Sequence, residues 1–232
     1  MLTNLFRGVP DAAGAASGDI VRLYQNQRQA TRRLMHDAME LFIKSDLEQA
    51  AKALGLWQRG AIVLEHEDLA GVVMNYALLE LRHEGLTTVE RFRADCSLYS
   101  PDEAATVDLL CQAQFRLLTL NQGAGEAILD VTDQLTGQNG RLVDVNLSAT
   151  GALGVTLATH VWNFADDYWM TTGAAVSYSK AAEQLVARRI RSLCRCKLSD
   201  WPKLGPPQRA SVAALVIRCA IDCGSAERLQ YA

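Results

Sequence analysis

Along most of this chain the apolar positions recur every three or four residues, as in helices that bury one face, but between residues 127 and 176 the period changes to two. Ile20, Leu23, Tyr24, Ala30, Leu34, Ala38 and Leu41 mark a long amphipathic helix whose other faces carry Arg22, Arg28, Arg32, Arg33 and Asp37. Leu47, Ala50, Ala51 and Leu54 mark a shorter one, capped by Ser45 or Asp46 and closed by Gly55. Residues 60–64 are a short apolar run of open type, and residues 68–81 are apolar enough to predict a buried helix. Thr87 or Thr88 caps a helix through Phe92. Ser100, Pro101, Asp102 and Glu103 predict another helix start, because Ser caps, Pro suits the first turn and acids favour the positive end. That helix is read as continuing through Val107, Leu110, Cys111, Phe115 and Leu118, until Gly123 and Gly125 break it.

From there Ala127, Leu129 and Val131 alternate with Ile128, Asp130 and Thr132, residues 136–140 form a turn, and residues 142–145 return as a second strand. Two more strands, 155–164 and 168–176, flank a turn at Asp166 and Asp167. Helices near 181–197 and 208–223 finish the chain on either side of a breaker with Pro202, Gly205, Pro206 and Pro207. The expected fold class is α+β, mostly helical, with a small antiparallel β-sheet or barrel-like module inserted before two C-terminal helices. The organisation reads as a loose arm over 1–18, a helical region over 19–122, the β-module over 123–178 and the helical pair over 179–232. These parts form one integrated unit, because the apolar helix and the sheet aromatics need partners and no long polar linker separates them.

Composition narrows the classes. The chain has 232 residues, 49% hydrophobic and 21% charged, with a net charge of −3 spread over both signs, so no basic field drives nucleic-acid binding. The first 18 residues lack the apolar core of a signal peptide and no later segment reaches a membrane span, which places the protein in the cytoplasm, without membrane partners. Six cysteines in that setting read as reduced thiols. Cys194 and Cys196 point about 200° apart on a helix and cannot share one metal, while Cys219 and Cys223 extend a core stripe, so neither a metal site nor a cofactor is expected. Cys96 and Cys111 sit in no nucleophile signature. The Glu65-His66-Glu67-Asp68 cluster reads as solvated acids at a helix start, and His36 and His83 as ordinary surface positions.

Two groups remain as candidates for binding. His160, Trp162, Asp166, Asp167, Trp169, Thr171 and Thr172 would share a hairpin, bringing a histidine, aromatics and hydroxyls within reach. The alternative is that Trp162, Phe164 and Trp169 fill the interface between sheet and helices while the two aspartates make the turn. Arg188, Arg189 and Arg191, followed by Arg195 and Lys197, could grip phosphate or an acidic partner, or be the wet face of an amphipathic helix.

One resemblance rests on particular residues: Asp133-Gln134-Leu135-Thr136-Gly137, Val143-Asp144, Leu147-Ser148 and Gly154-Val155-Thr156-Leu157-Ala158-Thr159, followed by Trp169-Met170-Thr171-Thr172-Gly173-Ala174. In that order they resemble a module of uncharacterised bacterial proteins that also carry helices ahead of it, over residues 30–178. The resemblance implies a small β-module attached to helices and transfers no catalytic residue.

No phosphate loop, dinucleotide fingerprint, nucleophile elbow or paired metal motif is present. The expected function is a cytoplasmic, non-enzymatic binding or accessory protein that holds a macromolecular partner, a protein foremost, through the β-module and adjoining helices. The alternatives are an enzyme using His160 with Asp166 or Asp167 for proton transfer, and a nucleic-acid accessory protein using the 188–197 helix. Self-association through the last two helices stays open.

Overall fold

A computed structural model describes residues 17–95, 99–125, 127–149 and 153–224, so the expected arm, apart from Ser17 and Gly18, which open the first helix, and Cys96 lie outside the described residues. The chain runs α1 (Ser17–Met39), α2 (Lys44–Leu54), β1 (Trp57–Gln58), β2 (Ala61–Ile62), α3 (Asp68–Leu79), β3 (Arg82–His83), β4 (Leu86–Thr87), α4 (Thr88–Ala94) and α5 (Pro101–Leu110). It continues with β5 (Gln114–Gly125), β6 (Ile128–Asp133), β7 (Asn139–Val143), α6 (Val145–Ala149), β8 (Thr156–Ala165), β9 (Tyr168–Ser177), α7 (Lys180–Cys194), a 3-10 turn (Leu198–Lys203) and α8 (Pro206–Asp222). This is the expected α+β fold, helix-rich with a small barrel ahead of two final helices. Among the described residues no helix is long and apolar enough to cross a membrane.

The expected helix over 101–118 is a correction. α5 stops at Leu110, and residues 114–125 form the longest strand, so the barrel has five strands and begins at Gln114 instead of residue 123. Phe115 and Leu117 pack outward against helices while Leu118 and Leu120 fill the barrel. A strand buried on both faces loses its alternation, and its apolar residues then also satisfy helical spacing.

The five strands close in the order β5-β6-β7-β9-β8, with β8 pairing back onto β5. All pairings are antiparallel except β7 with β9, which run parallel through Arg141–Tyr168 and Leu142–Trp169. A three-strand meander, a helix and then a hairpin whose strands close the barrel make the connectivity of the five-stranded Greek-key barrel called the OB-fold. The long first strand carries the irregularities that such closure needs, between Leu120 and Gln122 and between Gly123 and Gly125.

Inside the barrel, Leu118, Leu120, Leu129, Val131, Leu142, Leu157, Val161 and Trp169 pack together, with Leu147 of α6 closing one end. Outside, helices cover part of the wall. Residues of α2, α3, α7 and α8 pack on Phe115, Leu117, Ala158 and Val176, and residues of α1, α4 and α5 pack on Trp162, Phe164, Tyr168 and Met170. β8 and β9 are therefore sunk into the helical body, whereas the outer side chains Asn121 and Gln122 of β5 and Asn139 of β7 are exposed and Thr132 of β6 is half-buried between them.

The residues of the resembling pattern hold this architecture together. Asp133, fully buried, accepts from the Leu117 and Leu135 backbone amides, the Thr136 hydroxyl and Arg116. Asp144 accepts from the amides of Asn146 and Leu147 and so starts α6. Thr172 accepts from Asn75 of α3 at 2.7 Å, and Arg28 of α1 donates to the Thr171 carbonyl at 2.6 Å. Gly173 sits in the bulge opposite His160 with φ of 114°, and the Arg28 guanidinium lies against it.

Candidate functional site

The structure separates the residues of the expected hairpin cluster. His160 is 3% exposed on β8 and pairs through Nε2 with Glu80 Oε1 at the end of α3, 2.9 Å away, with Phe115 edge-on to its ring. Asp166 and Asp167 lie in the exposed β8–β9 turn, where Asp167 faces Arg141. Asp166 lies six residues beyond His160, about 20 Å along an extended chain, so the expected proton-transfer pair of His160 with Asp166 or Asp167 does not form. The nearest carboxylate to the imidazole comes instead from 80 residues earlier in the chain, a pairing that no local spacing announces.

Trp169 also departs from expectation. The two-residue turn sets Trp162 opposite Met170 and Asn163 opposite Trp169, so Trp169 faces inward while Trp162 and Phe164 pack against helices. Its ring lies over Gly140, where a methyl group would sit 2.7 Å from ring carbon, and beneath the Arg116 guanidinium at 4.5 Å. Thr171 and Thr172 are buried at the contacts with α1 and α3. His160, Trp169, Thr171 and Thr172 are thus packing and docking residues, out of reach of a large partner.

The other titratable groups have local roles. His83 is not an ordinary surface histidine: it hydrogen-bonds the buried Asp46, which also accepts from the Ile43 amide. Asp46 thereby serves α2 from within its first turn, not as the residue before it. Arg188 and Arg191 are exposed on α7, whereas Arg189 pairs with Asp222 of α8 at 2.9 Å. Burial pushes the thiols of Cys194, Cys196 and Cys219 upward, and among the described residues no group of three His, Cys, Asp or Glu side chains is arranged to hold a metal ion.

The feature that sequence reasoning missed lies on the uncovered side of the barrel. Thr156 of β8 pairs with Thr119 of β5, Thr119 with Thr132 of β6, and Thr132 with Asn139 of β7, so four neutral polar side chains form one row across four strands. Hydrogen bonds tie it together: Thr119 to Thr156 at 2.9 Å, Gln134 to Thr119 at 2.9 Å, Asn121 to Thr132 at 2.9 Å and Thr132 to Asn139 at 2.8 Å. No single strand carries enough of the row to be noticed; only the registers assemble it.

At its Thr156 end the row enters a cleft of about 700 Å³ between the barrel wall and the start of α7. That volume is within the range of small-molecule sites. Leu117, Val155 and Leu198 supply apolar lining, and Thr119, Gln134, Thr156, Ser177 and Ser179 supply hydroxyls and an amide. The charged residues of the lining, Lys180 and Glu183, pair with each other at 2.6 Å. A second depression, of about 480 Å³, is lined by residues of α1 alone, and two of its arginines are already engaged, Arg28 with Thr171 and Arg33 with Glu103.

Tyr178 forms part of the cleft lining, and its buried hydroxyl has no partner among the described residues. Burial first, then the charge of Glu183 and of Cys219 and Cys223, pushes its phenol above the ordinary value of 10.0; burial, Glu80 and Cys194 do the same for Tyr76. A phenol whose pKa is higher folded than unfolded contributes stability that is full below about pH 10 and is lost as pH rises beyond it. Urea midpoints should therefore fall above pH 10, and Tyr178→Phe should lessen the fall. An unchanged alkaline slope in that variant would contradict a buried neutral phenol.

No curated protein and no solved structure matches the chain. Residues 19–199, from the first turn of α1 to the start of the 3-10 turn, match the model of the Family of unknown function (DUF7986), and the chain belongs to that family.

Proposed function

We propose that the chain is a non-enzymatic binding or accessory protein whose recognition surface is the uncovered side of the barrel, the helices serving as scaffold. The observation that carries this reading is the asymmetry of the barrel wall: β8 and β9 are buried in helices, while β5, β6 and β7, which meet the helices through Phe115, Leu117, Ile128 and Val143, leave Thr119, Asn121, Thr132 and Asn139 as a polar row that runs into the cleft. Barrels of this connectivity use the side formed by their second and third strands, here β6 and β7, to hold extended polymers. That is a fold-level analogy, and it guides the choice of face only. The reading against catalysis rests on the same geometry, since the buried His160–Glu80 pair ties α3 to β8 and the charges beside the cleft are paired with each other. A cytoplasmic setting suits the thiols of Cys194, Cys196, Cys219 and Cys223, which form no disulfide among the described residues.

The exposed Arg188 and Arg191 offer the rival surface. Native mass spectrometry of protein isolated gently from its source cells separates the two. A species retained by the wild type should be lost from Thr132→Arg/Asn139→Arg and kept by Arg188→Glu/Arg191→Glu, with both variants melting within a few degrees of wild type, as surface changes do. The opposite pattern, together with retention that weakens steeply with salt, would move the function to α7 and a polyanion.

A further inference from the structure

Resting on that reading, the geometry points to a neutral, hydroxyl-rich chain, an oligosaccharide, as the ligand of the cleft and of the cross-strand row. Three observations lead there. The row is made of hydroxyls and amides without a formal charge, Thr156, Thr119, Thr132 and Asn139 flanked by Gln134 and Asn121. Such groups both donate and accept, which matches sugar hydroxyls and offers nothing special to a phosphate. The second amide atom of Gln134, Asn121 and Asn139 has no partner among the described residues, so capacity for a ligand remains after the row has satisfied itself.

The spacing agrees. Adjacent strands lie about 4.8 Å apart, close to the length of one pyranose unit, so a saccharide laid across the strands would meet one polar side chain per sugar. Four strands would then hold three or four units in line, with the chain end in the cleft against Leu117, Val155 and Leu198, whose apolar surface suits the C–H faces of a sugar ring. The electrostatics exclude the competing polymer of this barrel type. A single-stranded nucleic acid needs a cationic track and exposed aromatic platforms. Of the cations near this side, Lys180 pairs with Glu183, Arg116 with the buried Asp133, and Arg141 lies over the Tyr168 ring and faces Asp167.

Isothermal titration calorimetry of the full chain with maltohexaose, cellohexaose and chitohexaose, and with a twelve-nucleotide oligothymidylate, tests this. At least one hexaose should bind saturably and the oligonucleotide should not. Thr119→Val and Thr156→Val, which keep the shape and remove a hydroxyl, should each weaken that binding at least tenfold while leaving the melting temperature within a few degrees. Binding that both variants retain, heat from the oligonucleotide alone, or no saturable heat from any hexaose at 10 mM would overturn the assignment. If the hexaoses fail while the barrel-face variant still sheds the natively retained species, only the ligand class falls. If that variant sheds nothing, the recognition surface itself is misplaced.

Discussion

Asp133→Ala should cost about 3–5 kcal/mol, the range for removing one partner of a buried ion pair. The carboxylate is fully buried and accepts four hydrogen bonds, two from backbone amides, one from Thr136 and one from Arg116. Burial already lowers the pKa of the Arg116 guanidinium, and the charge and hydrogen bond of Asp133 oppose that. With alanine there, the guanidinium would stay over the Trp169 ring without its counter-charge, and the Leu117 and Leu135 amides would be stranded. Asp133→Asn keeps an oxygen for the two amides and should recover part of the loss. Urea unfolding followed by circular dichroism measures both; a loss under about 1 kcal/mol for the alanine variant, less than a buried unmet donor alone costs, would show that the turn is held by something else.

Trp169→Ala should cost about 3–5 kcal/mol, the range for deleting a buried tryptophan, equivalent to roughly 6–20 °C in Tm for a chain of this size. The void would open inside the barrel, where Leu118, Leu142, Leu157 and Val161 of the same cluster are fixed on three strands and cannot collapse together. Gly140 makes the same point from the other side, since no larger residue fits beneath the ring. Gly140→Ala should therefore also destabilise, by forcing the ring or the strand to shift. An unchanged melting temperature for Trp169→Ala would remove the tryptophan from the barrel interior.

What the sequence revealed divides along the range of the forces involved. Helix starts were legible because their chemistry is local: Ser100 accepts from the Glu103 amide, Thr87 accepts from the Glu90 amide, and Gly55 ends α2 in the left-handed conformation. The β-module was legible from its period of two, but the turn expected over 136–140 lies earlier, at 134–136, so that β7 already begins at Asn139, and the fourfold task of Asp133 carried no local signal. β5 was hidden because burial on both faces erased the alternation that marks a strand. Trp169 was assigned to the wrong face because the β8–β9 register, which decides its side, depends on how Ala165 and Tyr168 close the turn.

The site was less legible still. His160 was singled out for its residue type, yet its partner Glu80 comes from a helix that reaches it only in the folded state. The Thr156–Thr119–Thr132–Asn139 row is spread over 38 residues, from 119 to 156, and three strand pairings. Each threonine alone reads as an ordinary strand residue, because threonine is favoured on half-buried pleated surfaces for reasons of shape. Of the aromatic and charged residues that stood out in the sequence, Trp162 and His160 help to bury one side of the barrel in helices, Trp169 fills its interior, and Asp166, Asp167, Arg188 and Arg191 are exposed.

Site-specific photo-crosslinking tests the central claim, that the uncovered barrel side is the surface that recognises. A benzophenone amino acid placed at Gln122 on β5 and, in a separate protein, at Arg188 on α7 samples two exposed positions on different faces. Irradiated in extracts of the source cells, the Gln122 protein should give a discrete adduct that excess unlabelled wild type suppresses and excess Thr132→Arg/Asn139→Arg does not, while the Arg188 protein gives none. A suppressible adduct from Arg188 with none from Gln122 would contradict the account and place recognition on the C-terminal helices.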